Sequence, residues 1–137
     1  MQRLLPVLAA QDNSLLHAVS IAKALGDETR LRIMAMLEPQ ELCACQIIEV
    51  FDLANSTISR HLSVLKQAGL LQSRKSGRWI YYFWPKAPSP ALQSTQRWLS
   101  AMIHHDLQIQ QDRQHMIEIL KIDPEALCRR QNDKECC

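Results

Sequence analysis

Cys43-Ala44-Cys45 carries the clearest chemistry in this sequence: two thiols one residue apart, with further cysteines at Cys128, Cys136 and Cys137. Thiolates select soft, thiophilic ions over magnesium or calcium. At the start of a helix they are also easier to ionise, because the helix dipole favours negative charge there. Spacing sets how the pair can act. Side chains at i and i+2 of a regular α-helix point about 200° apart, whereas in an extended segment they share a face. An ion gripped by both Cys43 and Cys45 is therefore expected to unwind or distort the first turn of that helix. Two other readings stand beside this one: small buried hydrophobes without a ligand, and a redox pair that oxidises.

An odd number of clustered cysteines is no disulfide framework, and suits thiols used as ligands or sensors in a reducing cytoplasm. With 137 residues, 47% of them hydrophobic, the chain can bury an ordinary core without staples. Only three glycines argue against a turn-rich all-β fold. No run approaches about 18 consecutive apolar residues, so no membrane span is expected. The N-terminal MQRLLPVLAAQDNS is too short in its apolar core, and interrupted by Pro6, to read as a signal peptide. The Cys-X-Cys lacks the βαβ context of thiol–disulfide enzymes. No Ser-His-Asp set or glycine-rich phosphate loop accompanies it, so neither an enzyme nor an organic cofactor is expected.

A formal net charge of +2 says little, but its distribution says more. No Asp or Glu lies between Asp52 and Asp106, while Arg60, Lys66, Arg74, Lys75, Arg78, Lys86 and Arg97 all do. A one-sign field of that extent favours a polyanion partner over a merely solvated face.

Hydrophobic periodicity then places the elements. Asn13-Ser14 caps a helix carrying Leu15, Leu16, Val19, Ala22 and Leu25 and ending at Gly26. Asp27 caps the next, with Leu31, Ile33, Met34 and Leu37 inward, Arg30 and Arg32 exposed, and Pro39 as terminator. A third helix begins near Glu41 with Ile47, Ile48, Val50, Phe51 and Leu53 as its apolar set. After Ala54-Asn55-Ser56, a fourth helix buries Ile58, Leu62 and Leu65 and turns Ser56, Thr57, Ser59, Arg60, His61 and Lys66 outward, with Gly69 as its left-handed cap. Together these make a helix-turn-helix whose second helix suits phosphate and base edges of double-stranded DNA. Leu70–Arg74 and Trp79–Trp84 read as a β-hairpin with Arg74, Lys75 and Arg78 converging on its tip, a wing able to reach phosphates. Past the proline-broken KAPSP, one long helix is expected from about Pro90 to Leu120. At roughly 1.5 Å per residue it is over 40 Å long and should pair, with the first helix, against a second copy. Residues 1–122 form the DNA-binding and dimerisation domain. Residues 123–137 form a cysteine-containing tail opened by a short helix that carries Cys128.

LGDETRLRIMAML, ELCAC, STISRHLSVLKQAGLL and RKSGRWIYY, in that order, closely resemble the ArsR/SmtB family of winged helix-turn-helix metalloregulatory repressors, across roughly residues 14 to 120. The resemblance implies a mainly α fold with a β-hairpin wing. It further implies a homodimeric, cytoplasmic repressor that leaves its operator when trivalent arsenic (arsenite or methylarsenite), or antimonite, binds cysteine thiolates. In arsenite-responsive members a third thiolate lies three residues beyond the second; here that position is Ile48. A third ligand then has to come from Cys128, Cys136 or Cys137, unless the site is two-coordinate. His104, His115 and Glu118 fall where zinc-sensing relatives hold metal, with Met102 in place of the remaining aspartate. They form an alternative site for zinc or another soft metal.

Overall fold

The computed structural model describes residues 13–131. Along them run α1 (Ser14–Leu25), α2 (Glu28–Leu37), β1 (Leu42–Cys43), α3 (Ala44–Val50), α4 (Asn55–Gln67), β2 (Gln72–Ser76), β3 (Trp79–Phe83), α5 (Pro90–Ile103), α6 (Leu107–Ile119) and α7 (Pro124–Arg130). It is a winged helix-turn-helix: helices pack around a small antiparallel sheet of order β1-β3-β2.

The Asp27 carboxylate accepts from the Arg30 amide at 3.0 Å, which starts α2 where the sequence placed it. Ile33, Met34, Met36 and Leu37 then fill the core. On α4 the i, i+4, i+7 stripe of Ile58, Leu62 and Leu65 is buried completely or nearly so, each side chain contributing about 1.5–3 kcal/mol. Gly69, at φ +82°, closes this helix: its amide donates to the Lys66 carbonyl and that of Leu70 to the Leu65 carbonyl, both at 3.0 Å. That closure draws Leu70 and Leu71 into the core, so the first wing strand starts at Gln72 rather than at Leu70. Gly77, at φ +61°, makes the tight turn between Ser76 and its partner Trp79.

Three further expectations fail. The long C-terminal helix is broken between Ile103 and Leu107, giving α5 and α6. Asp106 restarts the helix by accepting from the amides of Gln108 (2.8 Å) and Ile109 (3.2 Å). The fold-back lets α6 bury Ile109, Met116 and Ile119 against the domain instead of projecting them beyond it. Arg30 and Arg32 are half-buried rather than exposed. Arg32 forms a two-pronged pair with the buried Asp112 of α6 (2.7 and 2.8 Å) and lies over the Phe51 ring. Arg30 donates to the Ala24 and Lys23 carbonyls. Leu53, placed among the apolar set of the third helix, is 44% exposed in the loop that follows it.

Candidate thiol site and nucleic-acid face

Cys43 is not inside a helix. It ends β1 with extended backbone (φ −73°, ψ 150°) and serves as the N-cap of α3, while Cys45 lies in the first turn. Its amide donates to Gln46 Oε1 at 2.8 Å, fixing the cap. The change from extended to helical backbone falls between the two cysteines, so their sulfurs converge, Sγ to Sγ 2.8 Å. Both residues are fully buried. Unwinding the turn is therefore unnecessary for both sulfurs to meet one ion, against the expectation from helical spacing. Two thiolates sharing a tetrahedral ion at zinc-like lengths of about 2.3 Å stand ~3.8 Å apart. The donor set fits a soft ion once the pair spreads by roughly 1 Å. Ile48, where a third thiolate would fall on this helix, is a core residue.

Two elements enclose the pair. Cys43 is registered opposite Tyr81 of β3, so the thiol strand is the third strand of the wing sheet. Burial first, and then negative charge on the Cys43 sulfur, push the Tyr81 phenol above its ordinary value. On the other side lies α7, with Leu127 fully buried and the Cys45 thiol 3.9 Å from the Pro124 carbonyl. Arg130 pairs with Glu49 at 2.6 Å, and Gln131 donates to the Cys45 carbonyl at 3.0 Å. Nothing in the sequence pattern announces this closure; its contacts span some eighty residues of chain. Cys128, half-buried on α7, is disulfide-bonded. Cys136 and Cys137 lie outside the described residues.

On α4, Ser56, Ser59, Arg60 and Lys66 are exposed and Thr57 is half-covered, as a groove-reading face requires. His61 is instead held from behind, its Nδ1 3.0 Å from the Arg30 guanidinium. In the wing, Lys75 is exposed and in no ion pair among the described residues. The other two cations are engaged. Arg74 meets Glu41 through two hydrogen bonds and covers the Tyr81 ring; Arg78 pairs with Glu125 of α7 at 2.7 Å. Glu41 and Glu125 are the acids that sequence reading missed, each distant from the wing in sequence.

His104 and His115 are exposed, and Glu118 pairs with Lys121 at 3.1 Å. No group of three or more His, Cys, Asp or Glu able to hold a metal forms among the described residues. No helix there is long and apolar enough to cross a membrane.

Residues 27–73 match the family described as bacterial regulatory protein, arsR family. The chain is 44% identical over 70 residues to the arsenical resistance operon repressor of Escherichia coli, a match covering 50% of this chain and 60% of that protein. It is 35% identical over 89 residues to the arsenic resistance transcriptional regulator ArsR2 of Pseudomonas putida, covering 58% of this chain and 77% of the relative. Among solved structures, the transcriptional regulator HlyU of Vibrio vulnificus superposes with a TM-score of 0.52 at 30% identity, over 73% of this chain and 97% of that one.

Proposed function

Since the chain belongs to the arsR family of bacterial regulatory proteins, whose members are DNA-binding transcriptional regulators and not enzymes, we propose that it is a repressor released from operator DNA by trivalent arsenic bound at Cys43 and Cys45. One observation carries this reading: two cysteine sulfurs, fully buried, converge 2.8 Å apart where β1 becomes α3. Antimonite, of the same soft chemistry, is an alternative inducer. A third thiolate comes from the C-terminal cysteines: from Cys128, once a dithiol reductant has given two electrons and two protons to its disulfide and is itself oxidised to a disulfide, or from Cys136 or Cys137.

Bound there, the inducer supplies soft bonds to sulfur; everything else is done by the chain. Spreading the sulfurs shifts the first turn of α3 and the strand pairing of Cys43 with Tyr81. α3 packs on the recognition helix α4, and β3 is half of the wing. Ser56, Thr57, Ser59, Arg60 and Lys66 on α4, with Arg74, Lys75 and Arg78 on the wing, make the DNA contacts. The two ends of that surface are therefore disturbed together, and a coupling of ~1–3 kcal/mol loosens DNA binding roughly 5- to 150-fold.

The protein acts as a homodimer. Leu15 (76% exposed) and Leu16 on α1, with Trp98 and Met102 (65%) on α5, leave an apolar face beside an open groove of about 620 Å³. A second copy covers it and sets two α4 helices toward successive major grooves.

Operator-fragment binding with and without arsenite tests the assignment, on the parent, Cys43→Ser and Cys45→Ser. The serine variants should bind DNA like the parent and keep hold of it when arsenite is added. Release of the Cys45→Ser protein at the parental arsenite concentration overturns the sensor assignment. The closeness of the sulfurs also favours a second reading, in which peroxide takes two electrons and two protons from the thiols to give a disulfide and water. Release by peroxide but not by arsenite selects it.

A further inference from the structure

We propose that Gln131 is the positioning residue that carries occupancy of the thiol pair to the recognition helix. The inference rests on the reading of Cys43 and Cys45 as the sensor.

Gln131 follows α7 and is half-buried between three elements. Its Nε2 donates to the Cys45 carbonyl at 3.0 Å and to Glu49 Oε1 at 2.7 Å. Its own carbonyl accepts from the Asn55 side-chain amide at 3.5 Å. Asn55 is the first residue of α4. One residue thus touches the backbone of a sensing cysteine, the far half of the sensor helix and the start of the helix placed on DNA. Neighbouring Arg130 holds Glu49 at 2.6 Å and keeps the bridge on α3.

The amide has no slack. Both of its acceptors demand the same orientation of the side chain, which leaves Oε1 buried with no partner among the described residues. A buried oxygen kept unpaired is a cost that folded proteins rarely retain. Here it is retained for the two donor contacts. Spreading the sulfurs displaces the Cys45 backbone, and a donor anchored on that carbonyl must follow it or let go. Either response moves the carbonyl that Asn55 grips at the long end of hydrogen-bond range. Gln131 lies outside the stretch 27–73 that matches the family.

Gln131→Met tests the relay in the full-length reduced protein: it keeps the side chain's length and removes both donors together with the unpaired oxygen. Arsenite binding is measured by calorimetry, and operator affinity by fluorescence anisotropy with and without arsenite. The variant should bind arsenite and operator separately as the parent does. The arsenite-induced loss of operator affinity should shrink by about tenfold, the scale of one or two hydrogen bonds. An unchanged loss overturns the proposal, and so does an abolition of arsenite binding, which would make Gln131 part of the site itself. Should Gln131→Met unfold, Asn55→Ala cuts the other end of the bridge. Its ratio of operator affinities with and without arsenite should fall likewise, and an unchanged ratio overturns the relay. A parent protein indifferent to arsenite refutes the sensor reading and the relay with it, whereas a responsive parent with an equally responsive variant refutes the relay alone.

Discussion

Arg78, one residue past the glycine of the wing turn, is joined to Glu125 of the C-terminal helix at 2.7 Å, with its guanidinium over the Trp79 ring. A cation proposed to meet phosphate is thereby shared with the helix that packs against the cysteine pair. Glu125→Gln should release it, tighten operator binding a few-fold and steepen the salt dependence by about one phosphate contact. Arg78→Ala should do the reverse. Titrations of operator affinity against salt read both, and equal slopes for parent and Glu125→Gln would remove Arg78 from the DNA face.

The Glu41–Arg74 pair sets a pH dependence. Arg74, donating to the Glu41 carboxylate, holds that carboxyl below its ordinary value. A group lowered in this way contributes above the ordinary range and is lost only as pH falls through its folded-state value. Arg74 therefore stays paired from neutrality down through the ordinary carboxylate range, and is set free only as pH falls through the lowered folded-state value. Operator affinity should show no titration from this pair between about pH 6 and 8. At neutral pH, Glu41→Gln should mimic acidification and strengthen binding at low salt; weaker binding would mean that Arg74 reaches DNA only when Glu41 orients it.

Asp112 is 3% exposed and takes both prongs of Arg32. Removing one partner of a buried pair strands the other, at about 3 kcal/mol for an arginine only partly covered, on the order of 10 °C in Tm. Asp112→Ala should unfold earlier by that amount in a thermal melt. A shift within a degree or two would show that the pair is dispensable to the docking of α6.

Trp98 is 52% exposed on α5, and Leu15 76% exposed on α1. Trp98→Glu combined with Leu15→Glu should give a monomer in sedimentation and should lose most of its affinity for a two-half-site operator. A dimer that survives both charges has its two-fold contact elsewhere.

Much of this architecture was legible in the residues. Ile58, Leu62 and Leu65 repeat at helical spacing and are buried; Gly69 and Gly77 sit where positive φ is needed. The break at 104–106 was not, because it contains neither proline nor glycine. It arises from Asp106 capping a new helix and from the packing of Met116 and Ile119, a tertiary preference that periodicity does not record. The thiol pair was found by composition, but its geometry turned on which residue begins the helix. Shifting that boundary from Glu41 to Ala44 takes Cys43 out of the helix and brings the two sulfurs together. The partners of Arg30, Arg32, Arg74 and Arg78 were invisible for a simpler reason: carbonyls and acids from 6 to 80 positions away meet them only after folding.

The two residues of β1 tie the wing to the cysteine pair through the backbone. Leu42 and Cys43 lie alongside Tyr82 and Tyr81, so the hairpin cannot be exchanged as a separate module. A foreign hairpin grafted one residue out of phase would turn every side chain of its strand to the opposite face, and the cysteine strand would lose the partner that positions it. A lengthened hairpin has to keep this two-residue phase, or the strand that carries Cys43 loses its pairing with Tyr81.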